Sequence, residues 1–444
     1  MRRRGPFEVF CSMANENRLL VGERQGSRSA IALALLSLVV GAFAGLVGAS
    51  FRLLLRSADG WRAYFIARAH EWGWVGFFFL IGGIAVAGAF AAWLVFRFAP
   101  QTSGSGIPHV EHELKVGWSG DPILIIIVKF IGGLLAIGGG FALGREGPTV
   151  QMSGGIGHLV GRGFQRNSNE CRVLLAAGAG AGLATAFNAP IAGAIFVLEE
   201  LVGSYDLPVT ITTIGASAAA ICVSRVFLGQ LPDFRVPPLD FVGFGFLPIS
   251  LIGGVVIGLL GVAYNRAILA ALNFCTRFSN LYGAVRAGCI GALIGLLGWL
   301  APSVIGGGDP LTQRTLDGNL LGGTLVAVFV VRFLLGPVSY AARTPGGLFA
   351  PMLTIGSQAG MLLFILWTHF VPTTTALPQQ FAVVGMAAFF GAVVRAPIAG
   401  IILAVELTGS FSLFLPMLGT TFAAVTTATV LKAPPIYDSL RDVH

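Results

Sequence analysis

The chain holds few residues able to do chemistry, and the most telling sit where charge hardly belongs. In Gly144-Arg145-Glu146-Gly147-Pro148 the charge pair follows fifteen residues, Phe130 to Gly144, that contain no Asp, Glu, Lys or Arg. A carboxylate and a guanidinium placed in such surroundings point to handling of ions or protons. The flanking glycines and proline favour a broken helix whose first turn leaves backbone N–H groups free, and such an end attracts anions. A second glycine-rich break, Gly104-Ser105-Gly106-Ile107-Pro108, presents a hydroxyl between two glycines. Ser105 reads equally as a helix cap or as a donor to an anion. Hydroxyls, backbone N–H groups and helix dipoles suit an anion that must be released again, because a full salt bridge would hold it too long. Glu200 closes an apolar segment, and Tyr437 ends the last apolar run, where tyrosine commonly anchors at lipid headgroups.

These residues need a scaffold, and composition dictates its class. Only 11% of the 444 residues are charged and 55% are hydrophobic, with a mean hydropathy of +0.82; soluble domains carry about 25% charge. Charge-free runs cover Ser29–Phe51, Trp72–Phe96, Val173–Leu198, Phe241–Asn265, Ala287–Gly308, Thr344–Val394 and Leu407–Leu431. About 20 apolar residues cross a bilayer, so most runs suffice for one crossing and Thr344–Val394 for at least two. The alternating segments of a β-barrel are absent. An all-α, polytopic membrane protein is therefore expected. Its 62 glycines predict closely packed, tilted and interrupted helices, more numerous than hydropathy alone counts. The net charge of +8 and the arginine excess before Ser29 place the N-terminus in the cytoplasm. Nucleic acid is not an expected partner. The five cysteines, Cys11, Cys171, Cys222, Cys275 and Cys289, form no metal or disulfide framework.

The chain also repeats itself. At an offset of 207, Ala189-Pro190-Ile191-Ala192-Gly193 matches Ala396-Pro397-Ile398-Ala399-Gly400, and Glu199 matches Glu406. At 203, Lys129, Gly144, Pro148 and Gly157 match Arg332, Gly347, Pro351 and Gly360; at 202, Gly104 to Pro108 faces Gly306 to Pro310. Such duplication is typical of secondary transporters and related channels, whose sites form where the broken helices of both halves meet. The expected organisation is a tail over 1–28, a first repeat over 29–225, a linker over 226–245, and a second repeat with a C-terminal helix over 246–444. Mismatches between the halves are informative. Glu146 faces Phe349, Glu200 faces Leu407 and Ser105 faces Gly307. Residues serving one central site occur once, whereas the duplicated Glu199 and Glu406 read as structural.

Six motifs in order, namely Gly104–Pro108, Gly144–Pro148, Asn188–Glu200, Gly346-Gly347-Leu348-Phe349-Ala350-Pro351, Arg395–Glu406 and Pro435-Ile436-Tyr437, make the chain resemble the CLC family of chloride channels and chloride/proton antiporters. The resemblance runs from about Ser29 to Tyr437 and is strongest to bacterial antiporters without appended domains, in keeping with a chain that ends at His444. It implies two inverted-topology repeats and a homodimer in the bacterial inner membrane, with an ion pathway in each subunit and no cofactor. It further implies that Ser105, Tyr437 and the backbone N–H groups of Leu348 and Phe349 bind chloride. Glu146 would be the gate and outer proton carrier, and Glu200 the inner proton glutamate. The match also suggests Glu111 as the partner of Arg145. Chloride/proton exchange is the leading function and a passive voltage- or proton-gated chloride channel the alternative. Glu200 favours exchange, since channel members commonly lack a carboxylate there, and Ser105 disfavours fluoride export and nitrate preference. His109, His112, Glu111 and Glu113 read as a helix end rather than a metal site, and Gly178, Gly180 and Gly182 as close packing rather than a dinucleotide loop. Lys129 and Arg332 either raise an anion-favouring potential or serve structural pairing. No Ser–His, paired-Asp or zinc-ligand arrangement suggests an intramembrane enzyme.

Overall fold

The computed structural model describes residues 27–239, 247–277, 283–320, 322–370 and 377–441. Most of the expected N-terminal tail, and with it the arginine excess, lies outside the described residues, as does the end of the expected linker from 240 onward.

The first repeat contains α1 (Ser27–Glu71), α2 (Gly73–Phe98), α3 (Ile107–Val116), α4 (Pro122–Gly138), α5 (Glu146–Gly163), α6 (Ser168–Phe187), α7 (Pro190–Phe196), which runs on into a π-turn at Val197–Leu201, and α8 (Leu207–Leu228). The second contains α9 (Leu247–Arg277), α10 (Gly283–Leu300), α11 (Asp309–Leu316), α12 (Gly322–Ala341), α13 (Phe349–Phe370), α14 (Pro378–Val394), α15 (Pro397–Thr408) and α16 (Phe414–Val430), followed by the short α17 (Ile436–Arg441). Among the described residues, 9 helices are long and apolar enough to cross a membrane, and three shorter apolar helices accompany them. The charge-free runs thus undercount, as the glycine content leads one to expect. One boundary differs from expectation. The first span does not stop at Phe51 but continues as helix to Glu71, because Arg52 is buried and its guanidinium is neutralised by Asp233. At 1.5 Å per residue this helix is about 67 Å long, twice a hydrocarbon core, so it cannot stand upright within one.

The two repeats have inverted topology, and reciprocal bonds across their interface display the two-fold relation between them. The Gly144 N–H donates to the Gly347 carbonyl at 2.8 Å, and the Gly347 N–H donates to the Gly144 carbonyl at 2.7 Å. Glu199 accepts from the N–H groups of Ile398 and Ala399 at 3.1 and 2.7 Å, and Glu406 accepts from those of Ile191 and Ala192 at the same distances. The duplicated glutamates therefore cap each other's helices, α7 and α15, a structural role. The two buried cations are duplicated in the same way. Lys129 donates to the carbonyls of Thr102 and Gly104, and Arg332 to those of Val304, Gly306 and Gly307. A buried cation is tolerated only when such acceptors surround it, and here each one ties down the glycine-rich break of its own repeat.

The breaks follow from local chemistry. Gly106 and Gly308 have φ of 84° and 111° and end the turns that lead into α3 and α11. An L-residue is strained there, whereas glycine is not. Proline then occupies the first turn of each helix, where its missing N–H costs nothing. The centre of the molecule is filled by α6 and its counterpart α14, which are buried over nearly their whole lengths.

Candidate functional site

Glu146 is the first residue of α5 and Phe349 the first of α13, so the Gly144–Gly347 bridge clamps two helix N-termini side by side. Leu348 and Phe349 precede any helical carbonyl that their N–H groups can reach, which leaves those groups without an acceptor in the helix at the N-terminus of α13. Phe349 is fully buried and packs against Phe187, Phe196, Phe390 and Tyr437, with ring centroids 4.8 to 6.1 Å apart. It does not face lipid.

The Glu146 side chain is fully buried, and neither carboxylate oxygen has a hydrogen-bond partner. It lies within the influence of the backbone N–H groups of Glu146 itself and Ala350, without a full hydrogen bond to either. A negative group is thus held at two helix N-termini, where an anion would be held. Buried polar groups normally have partners, so an orphaned carboxylate in this position needs a functional account. The side chain folds back over Gly144, where a methyl group would come 2.9 Å from the Glu146 Cδ. Gly144→Ala is therefore expected to push the carboxylate aside, raising anion flux and lowering the protons moved per anion. Paired flux recordings check this, and an unchanged ratio would contradict it.

Arg145 makes no ion pair with Glu146 among the described residues, although the two charges act on each other, nor does it meet Glu111. Its guanidinium donates to Asp309 at 2.5 Å, to Asp233 at 3.0 Å and to the Ala186 carbonyl at 2.9 Å. Glu111 instead holds Lys115 at 2.7 Å and Arg441 at 2.5 Å. The expected Arg145–Glu111 pairing is corrected. Arg145 is anchored by the segment after α8 and by the start of α11, and Glu111 fastens α3 to α17.

The Ser105 and Tyr437 hydroxyls are both fully buried, and both lack a hydrogen-bond partner. They come close to each other without meeting full hydrogen-bond geometry. Two donors with no acceptor thus converge beside α5, where a methyl group on Gly147 would lie 2.5 Å from the Ser105 hydroxyl. Tyr340, which nothing in the repeat pattern singles out, accepts from the Ser105 N–H at 3.3 Å and fixes the loop.

Two cavities approach this centre. One of about 280 Å³ is walled by Arg145, Glu146, Asp309 and Ala350. The other, of about 510 Å³, is walled by Gln101, Ser103, Gly106, Tyr340 and Arg441. Gln151 donates to the Gln101 carbonyl at 2.8 Å. Five residues of α5, about 7.5 Å of helix rise, therefore separate Glu146 in one wall from the rim of the other. The partition between the cavities is thin, and Ser105, Glu146 and Tyr437 lie in it.

Glu200 stands apart from this partition, half-buried in the π-turn. Its counterpart segment, α15, is regular α-helix through Thr408, so the symmetry of the halves fails where the unduplicated carboxylate sits. π-turns recur at functional positions. Glu111, Lys115, Glu199 and Asp438 surround Glu200, and both Glu200 and Glu146 act on Tyr437. The charges of two carboxylates thus both act on one buried hydroxyl. Asp309 was also within reach of sequence reasoning, since its repeat counterpart is Ile107, a mismatch of the kind that marks Glu146. Asp233 carried no such signal.

The motif that the family model describes as "Voltage gated chloride channel" matches residues 87–429. The chain is 37% identical over 424 residues to the H(+)/Cl(-) exchange transporter ClcA of Vibrio cholerae serotype O1 (strain M66-2), covering 91% of this chain and 88% of that protein. It is 34% identical over 432 residues to ClcA of Salmonella paratyphi B (strain ATCC BAA-1250 / SPB7), covering 94% and 89%. The crystal structure of a slow cyanobacterial Cl-/H+ antiporter superposes with a TM-score of 0.89 at 31% identity, covering 92% of this chain and 97% of that one. With its inverted halves, clamped helix N-termini and orphaned carboxylate, and with a family model matching most of its length, the chain belongs to the voltage gated chloride channel family.

Proposed function

We infer that this protein is a secondary active antiporter that exchanges chloride for protons across the membrane. The observation that carries the reading is the pairing of an unpartnered, fully buried Glu146 at two helix N-termini with a second unduplicated carboxylate, Glu200, reached from another side. The relatives named as H(+)/Cl(-) exchange transporters support exchange over passive conduction. Chloride is held by the hydroxyls of Ser105 and Tyr437 and by the N–H groups of Leu348 and Phe349. Glu146 competes with chloride for the helix ends while charged and leaves when protonated, so one side chain both gates the anion and carries the proton. Glu200 passes protons to Glu146 past Tyr437, while chloride takes the larger cavity. The test is proton uptake and chloride efflux recorded together from liposomes holding the full chain. Chloride efflux with no proportional proton uptake would leave the channel reading.

Selectivity rests on Ser105 in this account. Ser105→Pro removes both the hydroxyl and the N–H that Tyr340 accepts. The expected result is a several-fold rise in coupled nitrate transport relative to chloride, measured on protein of unchanged helicity. An unchanged ratio would remove Ser105 from the selectivity site.

The protein works as a homodimer in the bacterial inner membrane, with its N-terminus in the cytoplasm. The exposed apolar residues Ile191, Leu207 and Ile211 have repeat counterparts Ile398, Phe414 and Leu418 that are also exposed. A two-fold-related apolar face of this kind, carried by α7, α8, α15 and α16, suits contact with a second copy.

A further inference from the structure

Between the end of α5 and the start of α6 lies a cavity of about 430 Å³, walled by Trp118, His158, Arg162, Arg166 and Arg172 among others. Neither Ser105, Glu146, Glu200 nor Tyr437 lines it. None of the three arginines makes an ion pair among the described residues. The Arg166 Nε, the Arg172 Nε and the Trp118 Nε1 are buried donors with no acceptor. Leaving such a group unsatisfied costs about 1–3 kcal/mol, and more for a charged one. The one carboxylate in the wall, Glu113, is already engaged, accepting from the Ser119 N–H at 2.5 Å and the Ser119 hydroxyl at 2.7 Å. Ser168, the first residue of the 20-residue α6, also lines the cavity, so the positive end of that helix adds to the field. His158 stacks on Trp118 at 5.4 Å and closes one side.

The wall therefore supplies donors and positive charge and almost no free acceptor. A tetrahedral oxyanion with several acceptor oxygens satisfies such a wall, and guanidinium groups match it in geometry. Val116, a wall residue, and nearby Phe164 are exposed apolar side chains, 66% and 55% accessible, where acyl chains attached to a phosphate would run. Basic pockets between membrane helices are known to take lipid headgroups.

We propose that this cavity binds a phosphate-type oxyanion, presented by an anionic phospholipid headgroup or free in solution, at a site separate from the ion pathway. Arginine-selective labelling with phenylglyoxal, mapped by peptide mass spectrometry on the full chain in neutral detergent, tests it. Phosphatidylglycerol mixed micelles are expected to slow modification of Arg166 and Arg172 several-fold while leaving the exposed Arg97 unchanged. Protection by inorganic phosphate as well assigns a site open to the free anion, and protection by the lipid alone assigns a headgroup site. No protection of Arg166 and Arg172 by either overturns the proposal. The double variant Arg166→Gln/Arg172→Gln is expected to lose, several-fold, the phosphatidylglycerol retained by wild type in native mass spectrometry. Equal retention by wild type and variant would also overturn it. Because the labelling is done on wild type, the proposal stays testable if the variant fails to fold.

Discussion

In Glu146→Gln, anion flux persists while proton transport falls at least about 100-fold, the lower end of what a positioned proton-transfer side chain contributes. The amide has nearly the shape of the protonated acid but carries neither its charge nor its proton. It therefore no longer competes for the N-termini of α5 and α13, and no longer ferries protons. The change is nearly isosteric and Glu146 has no hydrogen-bond partner to lose, so the fold should tolerate it. A second signature separates loss of the gate from loss of structure. Chloride flux through wild type rises as the solution facing the smaller cavity is acidified, because protonation frees the helix ends, whereas flux through the variant is indifferent to that pH. Proton movement driven by a chloride gradient in Glu146→Gln would refute the assignment.

Glu200→Gln has the complementary phenotype. Proton transport again falls at least about 100-fold, but chloride flux keeps its dependence on pH at the smaller cavity, because Glu146 remains to titrate. The reason lies in the separate positions of the two carboxylates. Glu200 occupies the π-turn among Glu111, Lys115 and Asp438, outside the partition that holds Ser105. Removing its proton-carrying group closes the proton branch and leaves the anion branch intact. Preserved coupling in this variant would contradict a route through Glu200. Loss of both fluxes would place Glu200 on the chloride path instead.

Much of this arrangement is legible in the residues themselves. A buried carboxylate after a charge-free stretch, a serine between glycines, and a repeat whose mismatches fall on Glu146 and Ser105 point to the central partition, and a third mismatch marks Glu200 in the turn outside it. Duplicated glutamates likewise announce a structural pair, because symmetry demands that each half do for the other what it receives. The unseen parts depend on contacts between distant segments. Arg145 meets Asp233 and Asp309, 88 and 164 residues away, and no local pattern encodes either partner. The first helix passes through Arg52 because Asp233 meets that charge, so a boundary read from local charge falls short. The π-turn at Val197–Leu201 differs from its regular counterpart although the two sequences align closely, since one extra residue in a turn leaves little trace in composition.

The measurement that bears most directly on the central claim is the reversal potential of the purified full chain in liposomes under opposed chloride and pH gradients. Coupled exchange places the reversal potential away from the chloride equilibrium potential and moves it whenever the pH gradient alone is changed. A reversal potential fixed at the chloride value and insensitive to pH would contradict exchange and establish passive conduction.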